Sequence, residues 1–302
     1  MRVTNQLITR NSQLRLQTSL QSIDRLNEDI SSGIRLRKMS DDPTAAGAVV
    51  QIGSSMRAIT QFRRNVDLGA ARASTEELVL NQVTEGLGRA IELGVAQASG
   101  TANAQTRSIV KTEIDQLLGF AVNLGNTRHG DDFLFSGTRA GEKPFRMPPT
   151  SADGFSALTV GASPVDPSGA ISLEINDGVF LTPTHNGTEV FLTTDAFESL
   201  RALSTALGNN DVAGIQAATD RVTAASSQLQ NILGAQGARI NVLDNTRSNL
   251  DLTEFNLKSS RADLRDTEVD KAIAELIGKQ TLYQAAMSAT SRILGLSLAN
   301  YL

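Results

Sequence analysis

The sequence predicts a mainly α-helical protein in which long coiled-coil helices from both termini pack together. Apolar residues recur at alternating four- and three-residue steps near the C-terminus, and a matching pattern occurs near the N-terminus. Only 4% of residues are aromatic and Trp is absent, which suits slender helical bundles better than a thick globular core. If the two ends pair, the chain between them must leave the terminal helices and return to the same place.

The last helix is expected from Val269 to Leu302. Its seam consists of Val269, Ile273, Leu276, Tyr283, Met287, Leu294 and Leu298. From Gln280 onward the only charged residue is Arg292. A helix this apolar must be covered by another helix or by other copies of the chain.

The first helix is expected from Met1 to about Ser32, with Gly33 as its C-terminal cap. One heptad row contains Leu16, Ile23 and Ile30, and the other contains Leu20, Asn27 and Ile34. A single polar Asn in such a row fixes the register of a coiled coil. We therefore expect both rows to form the seam with the last helix or with neighbouring copies.

A second helix is predicted to begin at Pro43. Asp41 or Asp42 can cap it, and Pro suits the first helical position because its missing N–H needs no partner there. Two adjacent carboxylates could also form a metal or acid/base pair. Beside Pro a cap is the favoured interpretation.

Helical stripes continue past Glu76 to a break near Ser99-Gly100, and a further helix ends between residues 125 and 130. The composition then changes, since six of the seven prolines lie between Pro144 and Pro183. Short strand-like runs occupy 133–135, 171–175, 179–181 and 189–192, with a hairpin turn at 176–178. Helix resumes at Asp195 and turns at 208–210, and it breaks again at 266–267.

The order of elements is therefore helices, a small β-rich insertion and helices again, with the two chain ends side by side.

Charge and composition exclude several classes of function. The net charge of −4 does not indicate nucleic-acid binding, and the seven basic against three acidic residues within 1–40 fit a solvated helix face. Cys is absent, which excludes disulfides, thiolate metal sites and Cys nucleophiles. Because neither a signal-peptide h-region nor a membrane-length apolar run occurs, we expect no membrane insertion and no cleavable signal.

An enzyme is the first rival class. The two histidines, His129 and His185, lie in no recognisable motif, and neither nucleotide-binding nor nucleophile-elbow sequences occur. The sequence therefore predicts no catalytic residue, no metal site and no cofactor. Asn186-Gly187-Thr188 matches a glycosylation sequon, which we interpret as a chance match.

Four separated motifs carry a family resemblance. The first is Ser31-Ser32-Gly33-Ile34-Arg35 followed by Ser40-Asp41-Asp42-Pro43. It resembles the N-terminal signature of the bacterial flagellin superfamily, and within it the hook-associated protein 3 family of hook-filament junction proteins, since flagellins proper more often have Asp-Asp-Ala. The second, Phe133-Leu134-Phe135-Ser136-Gly137-Thr138-Arg139, is typical of the junction family, with Phe135, Gly137, Thr138 and Arg139 as its marked positions. The others are Gly237–Asn241 and Gly295–Leu302, the latter with Ala299 where a Phe is more usual.

The resemblance implies an extracellular structural protein that leaves the cell unfolded through the flagellar type III apparatus. It also implies three layers: residues 1–42 and 266–302 as a terminal coiled-coil inner domain, residues 43–138 and 195–265 as a helical rod domain, and residues 139–194 as the β-rich, solvent-facing insertion. It implies self-assembly into a ring between the first hook-associated protein and flagellin, and an export chaperone bound near the C-terminal helix. The alternatives are flagellin itself, or a generic coiled-coil scaffold or phage-tail fibre. We also hypothesise that both tails are largely disordered in the monomer and fold when neighbouring copies cover them.

Overall fold

The computed structural model describes residues 2–99, 102–145 and 168–299. Within these ranges the helices are α1 (Arg2–Ser32), α2 (Pro43–Gln97), α3 (Ala104–Gly125), α4 (Ala196–Gly208), α5 (Val212–Arg265) and α6 (Val269–Ala299). The strands are β1 (Arg128–His129), β2 (Asp132–Phe133), β3 (Leu173–Asn176) and β4 (Val179–Leu181), and a π-helical turn spans Thr188–Leu192. The predicted mainly α fold, with helices from both termini packed together, is confirmed.

The chain divides into two compact units. The terminal unit contains Met1–Ala58 and Thr253–Leu302, and the central unit contains Ile59–Leu252. In the terminal unit, α1 packs on α6.

The hydrophobic core of the central unit lies between its helices. Fully buried side chains come from α2 and α3 (Leu80, Leu87, Ile114, Leu118) and from α4 and α5 (Leu200, Leu203, Ile215, Leu229). A cluster of four phenylalanines joins the segments between α3 and α4 to this core: Phe135, Phe145, Phe191 and Phe197, with contacting ring centroids 4.7 to 5.3 Å apart. Edge-on and stacked ring pairs of this kind stabilise beyond the burial of their area.

A buried arginine closes one end of the central unit. The Arg107 guanidinium donates to the carbonyls of Gln97 (3.2 Å) and Ser99 (3.1 Å) and to the side-chain oxygen of Asn210. These carbonyls stand at and just beyond the C-terminal end of α2, where backbone acceptors have no partner within the helix. Arg107 therefore links the ends of α2, α3 and α4.

The predicted strands are only partly correct. The hairpin turn is at the expected place, with Gly178 at φ +67° between β3 and β4. The run at 171–175 is shifted to 173–176, and in the run at 133–135 only Phe133 is a strand residue. The strand prediction at 189–192 is wrong, because Val190 and Phe191 are both buried and follow helical rather than alternating geometry. A short apolar run cannot distinguish a strand from a buried helical turn.

Both histidines contact α2 in the central unit. The backbone N–H and Nδ1 of His185 donate to the Glu76 carboxylate, with Nδ1 2.8 Å from Oε1, and Nδ1 of His129 lies 3.2 Å from the Thr75 hydroxyl. Glu76 is fully buried, and burial raises the pKa of its carboxyl while the hydrogen bonds from His185 partly oppose that rise.

Glycine 94 in α2 marks a close contact with α5. A Cβ atom at Gly94 would lie 2.3 Å from Oγ1 of Thr219, whose hydroxyl already donates to the carbonyl of Ile215. We expect Gly94→Ala to lower the free energy of unfolding by about 1–3 kcal/mol through overpacking. Gly86→Ala, which meets open space on the same helix, should instead raise it by roughly 0.5–1 kcal/mol. Urea unfolding of both variants measures this, and equal effects at the two positions would contradict the packing argument.

Glu76 should make stability depend on pH. Its pKa is raised in the folded state, so its contribution is fully present below the ordinary carboxyl range and is lost as pH rises through the folded pKa. We expect the free energy of unfolding of wild type, measured relative to that of Glu76→Gln, to fall as pH rises from 4.5 to 8. Urea denaturation across this range tests the sign, and a difference that grows in favour of wild type would refute it.

Candidate assembly surface

In the terminal unit, α1 and α6 bury a narrow stripe. Ile23 and Ala272 are buried, and Leu16, Ile30 and Tyr283 are half-buried. Small and medium side chains recur on the facing sides at heptad-like spacing, which is the pattern of two paired helices.

The C-terminal ends of α1 and α5 cap each other. The backbone N–H groups of Arg35 and Leu36 donate to the carbonyl of Arg265 at 2.8 and 3.1 Å, and the Arg35 guanidinium donates to the carbonyl of Leu264 at 3.1 Å. In return, Thr267 donates its N–H to Gly33 at 2.9 Å and its hydroxyl to the carbonyl of Asp29 at 3.1 Å. Terminal carbonyls that helices leave unpaired are thus satisfied in both directions.

Ion pairs hold the segment after α1 in place. Arg37 donates to Glu28 and, at 2.8 Å, to the buried Asp29. The Glu28 contact raises the pKa of the Arg37 guanidinium. Asp41 accepts from the Lys38 N–H and pairs with Arg25 at 3.1 Å, and these contacts lower the pKa of its carboxyl, the hydrogen bond foremost.

Asp42 lies at the start of α2. Its Oδ1 accepts from the N–H groups of Thr44 and Ala45 at 3.1 and 3.0 Å, and Pro43 is the first helical residue. Asp41 bonds to the preceding turn instead, so the two adjacent carboxylates have separate structural partners.

The predicted seam residues fall on two different surfaces. Leu16, Ile23, Ile30, Ile34, Leu276 and Tyr283 are buried or half-buried, whereas Leu20, Asn27, Val269, Ile273 and Met287 are exposed. The side chains of Leu294 and Leu298 lie outside the described residues. The sequence predicted Asn27 as a seam residue of α1, but Asn27 is exposed and its neighbour Leu26 is half-buried instead.

Four exposed apolar residues on α6 define what we call the α6 stripe: Val269, Ile273, Ile277 and Met287, with exposed fractions of 42 to 59%. They follow one another around a single helix face, next to the face that contacts α1. On α1, Leu7 and Leu14 are also exposed and stand seven residues apart. The seam predicted from the sequence did not include Ile277, Leu7 or Leu14, although their helical spacing could have indicated them.

The Phe-Ser-Gly-Thr-Arg motif lies in the central unit and makes a backbone contact. Phe135 is fully buried, Gly137 has φ +64°, and a Cβ atom there would lie 2.8 Å from the backbone nitrogen of Gly169. A Cβ atom at Gly169 would equally meet Thr138. Arg139 is exposed, and its carbonyl accepts from the N–H of Glu142. The motif therefore brings two distant parts of the chain into direct backbone contact.

Other potential sites have structural partners. The side chain of Asn186 in the sequon accepts from the N–H of Glu189 and donates to the carbonyl of Ser168. Among the described residues no group of His, Asp and Glu is arranged to hold a metal ion. No helix in the described part of the chain has the length and apolarity needed to cross a membrane.

Family comparisons match both helical ends of the chain. The bacterial flagellin N-terminal helical region matches residues 3–140, and the bacterial flagellin C-terminal helical region matches residues 212–302. Together they cover most of the sequence.

The chain belongs to the flagellin family. Among curated relatives, the phase 1 flagellin of Salmonella naestved and the flagellin of Salmonella enteritidis are each 35% identical over 96 residues. That stretch is 32% of this flagellin-family chain and only 18% of either relative.

Solved structures share the fold. FlgL of Bacillus cereus is 21% identical with a TM-score of 0.57, and the alignment covers 70% of this chain and 99% of that one. The flagellar hook associated protein-3 of Legionella pneumophila is 13% identical with a TM-score of 0.60, covering 72% of this chain and 98% of that one. The flagellar junction protein FlgL from the same organism is 13% identical with a TM-score of 0.56, and the alignment covers 72% of this chain and 100% of that one.

Gly33 tests the reciprocal caps, because its φ of +69° disfavours any residue with a Cβ. We expect Gly33→Ala to accelerate amide exchange at Arg35, Leu36 and Thr267 in the full-length chain, through a loss of about 1 kcal/mol. Gly47→Ala, whose Cβ meets open space inside α2, is the matched control and should leave these amides unchanged. Unchanged exchange in Gly33→Ala would show that the caps are not needed.

Proposed function

We propose that this protein is a structural adaptor of the bacterial flagellum that forms the junction ring between hook and filament. The observation that carries the proposal is the α6 stripe: a flagellin-family chain pairs its own terminal helices and still leaves a row of large apolar residues exposed. An exposed row of this kind marks a surface that other chains cover.

The stripe supports assembly through the terminal helices. α1 covers one face of α6, and the stripe occupies the adjacent face, so a second helix can pack there without displacing α1. The exposed Leu7 and Leu14 on α1 offer apolar surface of the same kind to another copy. In the ring that we propose, each copy's terminal pair is completed by its neighbours.

Two features favour the junction over the bulk of the filament. The Asp-Asp-Pro sequence at the start of α2 and the Phe-Ser-Gly-Thr-Arg segment are the motifs that resemble the junction family. Structures with the same fold are described as flagellar hook-associated and junction proteins. The first hook-associated protein and flagellin are then the expected partners below and above the ring. Flagellin itself is the second candidate, because both family regions and the curated relatives carry that name.

Assembly also explains how the chain would be exported. Tails that complete their packing only against neighbours remain soluble until they reach the growing tip, with a chaperone covering the C-terminal helix beforehand. Protected amides before residue 35 and after residue 275 in NMR spectra of the isolated chain would contradict this. The absence of Cys suits a chain that crosses unfolded into an oxidising exterior.

The proposed role is structural rather than catalytic. Both histidines bond to α2 inside the central unit, and the adjacent Asp41 and Asp42 are used in a turn and a helix cap. In the proposed arrangement, residues 1–42 and 266–302 form the inner domain, 43–138 and 195–265 the rod, and 139–194 the solvent-facing insertion.

Electron microscopy of a deletion strain tests the function. We expect hooks without filaments, with flagellin released into the medium. Loss of filaments with no flagellin in the medium would instead identify the chain as the filament subunit, and normal filaments would refute both candidates.

A charge on the α6 stripe should block assembly without unfolding the protein. Ile277 is 59% exposed, so we expect Ile277→Glu to keep wild-type unfolding by urea while abolishing complementation of the deletion strain, because burial of a lone carboxylate is unfavourable. Val50→Glu, at a 55% exposed position on α2 of the same unit, is the control and should complement. Filaments of normal length with Ile277→Glu would contradict the role of the stripe.

A further inference from the structure

The solvent-facing side of α3 is unusual for a helix in water. This α3 face consists of Gln105, Ile109, Thr112, Gln116, Phe120 and Asn123, all exposed and none charged. Ile109 is 62% and Phe120 48% exposed, eleven residues apart on the same side of the helix. Outer helix faces normally carry charged side chains, whereas depletion of charge with an exposed aromatic is typical of protein interfaces.

The charges that border the α3 face are neutralised in pairs. Lys111 pairs with Asp115 at 2.8 Å on one side, and Glu113 pairs with Arg89 of α2 at 2.9 Å on the other. This leaves an uncharged strip with two protruding apolar side chains between two ion pairs, which resembles the core and polar rim of an interface.

A second uncharged face lies on α5 of the same unit. Between Val222 and Ala238 the sequence has no Asp, Glu, Lys or Arg. The exposed residues there form what we call the α5 face: Thr223, Ala224, Ser227, Gln228, Gln230, Asn231, Gly234, Ala235 and Ala238. A Cβ atom at Gly234 would meet no heavy atom within 4 Å. The α5 face is therefore low and open around Gly234, Ala235 and Ala238, and its only apolar side chains are alanines, whereas the α3 face carries protruding Ile and Phe side chains.

We propose that the α3 face of one copy packs on the α5 face of the next copy. Both faces can lose their water without burying an unpaired charge, and the protruding Ile109 and Phe120 fit the small side chains around Gly234 better than a second protruding face. The inward sides of α3 and α5 share one core, through Ile114 and Leu118 on α3 and Val222 and Leu229 on α5. Their outward faces are therefore both free for neighbours.

The occupant is a second copy because the two faces are unlike each other and lie on the same chain. A contact between unlike faces is repeated from copy to copy in the same sense, and it closes into a ring or continues as a helix. The inference rests on the proposed ring and names the surfaces of the central unit through which its subunits would touch. It is separate from the α6 stripe of the terminal unit.

Cross-linking tests the pairing, since the natural chain contains no Cys. Gln116→Cys is combined in one chain with Ser227→Cys, Asn231→Cys or Ala238→Cys, and isolated flagella are treated with a short bismaleimide. We expect at least one combination to give a ladder of covalent oligomers, while each single-cysteine chain stays monomeric. Dimers of Gln116→Cys alone, or no ladder in any combination, would overturn the proposal. A chain absent from the flagella altogether would instead count against the proposed function.

A matched pair of substitutions gives an independent test. Phe120→Arg places a charge on the α3 face, and Phe180→Arg does so at the 64% exposed Phe180 of β4. We expect Phe120→Arg to reduce the amount of protein in purified flagella at least about tenfold, which corresponds to 1.4 kcal/mol or more, whereas Phe180→Arg retains the wild-type amount. Both variants should unfold in urea like wild type. Wild-type incorporation of Phe120→Arg, or equal losses in both variants, would refute the assignment of the α3 face.

Discussion

The reciprocal capping of α1 and α5 is the interaction on which the terminal unit depends. Each helix ends with carbonyls that need donors, and these carbonyls receive them from the segment that follows the other helix. Because backbone groups make most of these bonds, the alignment of the two segments is fixed by main-chain geometry. The caps therefore set the position from which α1 runs in one direction and α6 in the other. This alignment decides which apolar residues of α6 meet α1 and which are left outward as the α6 stripe.

The sequence was sufficient to predict the helices, their caps and their ends. Long apolar periodicity, Pro43 at a first helical position and Gly33 after a last one are local signals that tertiary structure rarely overrides. It was harder to predict which apolar residues of the terminal helices are buried between them and which face outward. Apolar residues that contact the chain's own helix and those that face outward are alike in type, so one heptad pattern contained both Leu276, which is half-buried, and Ile273, which is exposed. Separating them requires the position of α1, which is set by contacts distant in sequence.

Contacts between distant segments also explain what else the sequence did not reveal. Gly is unfavourable inside a helix, yet Gly94 of α2 is where Thr219 of α5 makes a close contact. Val190 and Phe191 had the composition of a strand, but both are buried in a π-helical turn, where Phe191 packs in the phenylalanine cluster. His185 stood in no motif because its partner, Glu76, is on another element. Each of these depends on packing that no local window of sequence contains.

The contact between Gly137 and Gly169 has a consequence for how this protein can diverge. Two residues without side chains touch there, so the ends of the segment between them already meet. Closing a loop whose ends already meet becomes more difficult only slowly as residues are added, by about 0.6 kcal/mol for each doubling of length. Insertions and deletions between Phe145 and Gly169 would therefore be tolerated as long as the two glycines and the buried Phe145 are kept, so the chain can change in length there while the helices remain constant.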